Sequence, residues 1–115
     1  MSDTDTAVLP SETDSIVLGA AENAARSHGL QLAAPAKDYL LSRSERTLDA
    51  IRVKGELKSK RAEIERNTAE LIKYIVDSAK PGSIVTEITY GDLLAGMSLF
   101  CRLFPHSIPF CVKAE

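Results

Sequence analysis

The sequence predicts an all-α fold: a short N-terminal helix and two antiparallel helices, one of them long, assembled as a homodimeric helical bundle. Three observations carry this. An alanine-rich run from Ile16 to His28 ends at Gly29, the stretch between Pro35 and Pro81 contains no other proline, and the apolar residues from Tyr90 to Phe104 recur at helical spacing. With 115 residues, 44% hydrophobic and 26% charged, the chain makes one globular domain. A domain this short buries roughly two thirds of its unfolded surface, so helix faces are left over that a partner would cover.

Residues 1–14 carry Asp3, Asp5, Glu12 and Asp14 with no lysine or arginine, and read as a flexible acidic tail ahead of a single helical domain over 15–115. Asp14 or Ser15 can cap the first helix, and Gly29 suits a left-handed stop. Val17, Ala20, Ala21, Ala24 and Ala25 on that helix are small, so whatever packs there comes close.

Pro35 fits a first helical turn and opens the long helix. Leu41, Leu48, Gly55, Ala62, Ala69 and Val76 hold a seven-residue repeat, Ile51, Ile72 and Ala79 lie beside it, and Leu57, Ile64, Leu71 and Ile75 trace a neighbouring stripe. Gly55 costs about 1 kcal/mol relative to alanine inside such a helix, and reads as a close approach or a slight bend. The basic middle, from Arg52 to Arg66, mixes both signs, with Glu56 to Lys60 and Arg61 to Glu65 spaced to pair. Without interleaved aromatics it reads as a solvated face rather than a phosphate-binding stripe.

Lys80-Pro81-Gly82-Ser83 reverses the chain, with Ser83 as a possible cap. Ile84 to Tyr90 has strand propensity, yet the helical spacing that begins at Tyr90 predicts a last helix from about Thr86 to Phe104. Pro105 and Pro109 end it and leave a short extended tail with Ile108, Phe110 and Val112. Between Leu93 and Phe104 the only charge is Arg102. Leu99 and Leu103 fall opposite the core stripe, so this helix is apolar nearly all round and two faces need cover. Gly91, Ala95 and Ser98 form a small-residue groove beside them. The expectation is self-association or partner binding.

Several classes drop out. A net charge of −2 gives no drive toward nucleic acid or anionic lipid and disfavours direct nucleic-acid binding. The acidic start and the lack of a long apolar run predict a cytoplasmic protein with no membrane span. Cys101 and Cys111 are too few for a disulfide scaffold and are expected as reduced thiols. Together with His106 and His28 they match no common zinc spacing, so no metal site is expected. No phosphate loop, dinucleotide fingerprint or nucleophile elbow occurs, and Glu63 and Glu65 face different sides of a helix, so neither catalytic residues nor a cofactor is expected.

Thr47-Leu48-Asp49-Ala50-Ile51-Arg52 on the long helix, Ile88-Thr89-Tyr90 and Met97-Ser98 on the last, and Ile108-Pro109 after it resemble, in order and approximate spacing, the TraM-type quorum-sensing antiactivators. The resemblance spans most of 35–109. The chain size and the added N-terminal helix bring it nearer the QslA type, while Lys80-Pro81-Gly82 is shorter than the TraM connection. The resemblance implies a non-enzymatic helical homodimer that binds a LuxR-type transcription activator, preferably at its ligand-binding domain, and blocks its dimerisation or DNA binding. Leu94, Met97, Phe100 and Phe104 would then build the subunit interface or its core. Val17 and Ala21 on helix one, with Leu99 and Leu103, would be receptor contacts, and Tyr90 would lie at the margin. A small winged-helix-like DNA-binding regulator, using strand-like Ile84 to Ile88, and a coiled-coil adaptor are the other readings that the residues allow.

Overall fold

A computed structural model describes residues 12–80, 82–84 and 86–111. Four helices hold 73% of the described residues: α1 (Glu12–Ser27), α2 (Ala34–Val53), α3 (Leu57–Ser78) and α4 (Tyr90–Leu103). Two short strands, β1 (Gln31–Leu32) and β2 (Glu87–Ile88), pair in parallel with Gln31 opposite Glu87 and Leu32 opposite Ile88. Asp3, Asp5 and Val112 lie outside the described residues. Glu12 to Asp14, expected in the acidic tail, already belong to α1.

The long helix expected from Pro35 onward is two helices, and Gly55 is the reason. It sits at φ +76°, a left-handed conformation that glycine adopts without steric cost. Its amide donates to Arg52 O at 3.0 Å and the Glu56 amide to Ile51 O at 3.0 Å. These are the two closing hydrogen bonds of a Schellman motif, which satisfy carbonyls at a helix end. Gly29 does the same for α1: φ is +74°, with Gly29 N to Arg26 O and Leu30 N to Ala25 O both 2.9 Å.

The break resets the phase of the apolar pattern, so the repeat through Gly55 does not describe one buried face. In α2 the buried positions are Ala36, Leu40, Ser44, Thr47, Leu48 and Ile51. In α3 they are Ile64, Thr68, Leu71, Ile72 and Ile75, whereas Ala62 is exposed. Glu56 precedes α3 rather than lying in it, and of the two anticipated surface pairs Arg61 to Glu65 forms, at 3.1 Å.

The joined helices α2 and α3 touch little. Instead α1 and α4 each pack against both of them. Val17, Ala21 and Ala25 of α1 and Leu93, Met97 and Phe100 of α4 therefore share one core with Leu40, Leu48, Leu71 and Ile72. Buried Ser44 and Thr68 return their hydroxyl hydrogens to the carbonyls four residues back, Leu40 O and Ile64 O, each at 2.8 Å, which removes the penalty of an unpaired polar atom.

The last helix begins at Tyr90, later than Thr86, because Thr89 forms a capping box. Thr89 Oγ1 accepts from the Asp92 amide at 3.2 Å and the Thr89 amide donates to Asp92 Oδ2 at 3.0 Å. The residues before it are drawn off by β1: Gln31 N donates to Thr86 O and Ala33 N to Ile88 O.

The C-terminal segment is also corrected. It is not extended and its cysteines are not free thiols: Cys101 and Cys111 form a disulfide with Cα atoms 5.1 Å apart. The segment after Phe104 turns back on itself, with Ser107 N bonding Phe104 O and Cys111 N bonding Ser107 O. Asn67 Nδ2 on α3 holds Ile108 O at 2.9 Å, and Arg43 Nε on α2 holds Phe110 O at 3.2 Å. Within this loop Pro109 and Phe110 are buried, and Phe110 joins the core.

Candidate interaction surface

Six large apolar side chains are exposed among the described residues: Val53, Tyr90, Leu94, Leu99, Leu103 and Phe104. Five of them lie on α4 or immediately after it. That concentration follows from the chain's size. The buried stripe of α4 is Leu93, Gly96, Met97 and Phe100, and α2 and α3 cover only that stripe.

The exposed residues form two edges rather than one face. Tyr90 and Leu94 lie on one side of the buried stripe. Leu99 follows Tyr90 by nine positions, about two and a half helical turns, which puts Leu99 and Leu103 on the other side. Toward α2, Tyr90 meets Tyr39 edge to face with ring centroids 5.3 Å apart. Toward α3, Leu99 borders a groove of about 180 Å³ that also takes in Ile75, Ala79, Ile84, Ala95 and Gly96. Leu99 and Leu103 are 44% and 59% exposed; a leucine so placed loses the gain of burial unless something else covers it.

The remaining sequence-predicted residues go elsewhere. Val17 and Ala21 are fully buried within the chain, because α1 is wedged between α2 and α3 and shows its small-residue stripe to them. They cannot touch a partner while the fold is intact. Met97 and Phe100 are core residues, with Phe100 beside Tyr74 and Phe104 at ring distances of 5.9 and 4.9 Å. Gly91, Ala95 and Ser98 face outward, and the close helix approach occurs at Gly96 instead.

A second feature was not singled out by the sequence reading. A pocket of about 270 Å³ opens between α3 and the disulfide-closed loop, lined by Glu63, Asn67, Glu70, Phe100, Phe104 and Pro105 to Ser107. Glu63, Asn67 and Glu70 recur at i, i+4 and i+7, a single helix face, and that spacing was the available signal. Among the described residues no three histidine, cysteine or carboxylate side chains stand together as metal ligands, and no helix is long and apolar enough to cross a membrane. No family model, no curated protein and no solved structure matches the chain.

Proposed function

We propose that this protein is an antiactivator that binds a LuxR-type quorum-sensing transcription activator in the cytoplasm, preferably on its ligand-binding domain, and blocks its dimerisation or DNA binding by sequestration. The observation that carries the reading is the α4 surface, where Leu94, Leu99, Leu103 and Phe104 stand exposed on an otherwise well-packed chain. Binding by apolar anchors with a polar rim needs no catalytic group. The same surface supports a homodimeric bundle, in which one edge of α4 meets its twin and the other stays available to the receptor. The first half of α4, with Gly96 against Ile75, borders the end of α3, while Phe100 and Phe104 at its other end share a pocket with Glu63 and Asn67 nearer the start of α3, which supports these two helices running in opposite directions.

The disulfide bears on the compartment. Cytoplasmic glutathione keeps most protein thiols reduced, so the reading requires that the α4 surface survive reduction of Cys101 and Cys111.

The test is co-expression with acyl-homoserine-lactone receptors from the same cell, followed by size exclusion with light scattering. The expected result is co-elution of the chain with one receptor, and its loss in a Leu99→Lys, Leu103→Lys variant. Failure to co-elute with any such receptor removes the proposal.

A further inference from the structure

We infer that the pocket between α3 and the disulfide-closed loop takes an arginine side chain presented by a partner protein. The inference rests on the reading of α4 as a partner-binding surface and names what that partner must carry.

The walls are the first reason. Phe104 is exposed beside the buried ring of Phe100, so an aromatic surface faces the opening, and guanidinium groups stack on aromatic faces more readily than ammonium groups do. The rim is the second. Glu63 and Glu70 both line the pocket, and neither has an ion-pair or hydrogen-bond partner among the described residues. Some helix carboxylates are paired, as in Lys37 with Glu22 and Lys73 with Asp77, and others such as Asp38 and Glu45 have no partner among the described residues; Glu63 and Glu70 are the unpaired ones that share a pocket. Arg66 is spaced one turn from both glutamates and bonds to neither.

The third reason is Ser107. Its Oγ is buried and has no hydrogen-bond partner, the only such side-chain atom among the described residues. Buried polar atoms are nearly always paired, and the residue that carries this one is among those lining the pocket. A guanidinium supplies several donors in a planar fork, which suits two carboxylates better than a point charge does. The site is also held in shape before binding. Its outer wall is the loop fixed by the Cys101–Cys111 bond and by Asn67 to Ile108 O, so little ordering remains to be done.

The experiment is an NMR titration of the isotope-labelled full chain with Nα-acetyl-arginine methylamide, and in parallel with its uncharged citrulline isostere. The arginine probe should move the amide signals of residues 63–70 and 104–107, with a dissociation constant on the order of 1 mM, as suits a ligand of one side chain. Citrulline should bind roughly tenfold more weakly or worse. A Glu63→Gln, Glu70→Gln variant should lose that difference while keeping the spectrum of a folded chain. Equal binding of citrulline, shifts centred elsewhere, or unchanged arginine binding in the variant would each overturn the inference. A chain that takes arginine at this site without capturing any receptor keeps the inference and removes the antiactivator reading. A chain that captures a receptor but ignores arginine does the reverse.

Discussion

Gly96 of α4 lies against Ile75 of α3 so closely that a Cβ built on the glycine would run into the isoleucine side chain. Ile75 is itself buried and β-branched, so it has few rotamers to retreat into. This contact fixes how near α4 sits to α3, and with it how far Leu99 is lifted out of the core.

Gly96→Ala is therefore expected to destabilise the chain by about 1–3 kcal/mol through overpacking, read as a lower urea midpoint. Gly91→Ala is the control. Its Cβ would meet only Thr89 Oγ1 at 3.8 Å, and no loss of stability is expected there.

Gly55→Ala addresses the break between α2 and α3. An alanine at φ +76° pays roughly 1–2 kcal/mol for the left-handed conformation. The expected outcome is a loss of that size with unchanged helix content by circular dichroism. A rise in helicity would mean instead that the two helices had fused through residue 55.

That break also marks the limit of what the sequence revealed. Helix class, the Gly29 stop, the Pro35 start and the apolar stripe of α4 were all legible, because each is written in local spacing or in one residue's conformational preference. Gly55 carried the same stop signal as Gly29, with basic Arg52 and Lys54 before it, yet the seven-residue repeat running through it masked the signal. The burial of Val17 and Ala21 was not legible, since a small-residue stripe looks the same whether its cover comes from its own chain or another. Nor was the Cys101–Cys111 bond. It depends on Asn67 and Arg43 anchoring the returning loop, and those contacts span 41 and 67 residues of sequence.

Thr89→Ala removes the hydroxyl that caps α4 together with its bond to Asp92 Oδ2, and leaves only the backbone half of the capping box. A loss of about 1 kcal/mol is expected. Because Ile88, next to it, pairs with β1, faster hydrogen exchange should appear at both the first turn of α4 and Ala33, whose amide bonds Ile88 O.

Closing a loop across a sequence separation of 10 restricts the unfolded chain, worth about 3 kcal/mol in the loop-entropy account. A Cys101→Ser, Cys111→Ser variant is expected to lose on that order in urea, and the wild-type chain in reductant should match it. Amide exchange should accelerate over residues 104–111, where Asn67, Arg43 and the buried Phe110 would be left to hold the loop. It should change little over Leu93 to Phe100, whose cover comes from α2 and α3. Collapse of α4 on reduction would count against a cytoplasmic role.

The sharpest contrast lies within one helix. Phe100 and Leu103 are three residues apart on α4, yet Phe100 is 2% exposed and Leu103 59%. Truncating Phe100 to alanine empties a space among Tyr74, Phe104 and the core, and about 3–5 kcal/mol should be lost. Leu103→Ala removes little buried area, and its effect on the isolated chain should stay within about 0.5 kcal/mol. If the outer edge of α4 is a contact surface, Leu103→Ala should weaken self-association or receptor capture by a factor well beyond what so small a stability change explains, measured by light scattering and by co-elution. A Leu103 substitution as costly to the lone chain as Phe100→Ala would show that α4 is covered on both sides by its own fold, leaving no apolar edge to offer.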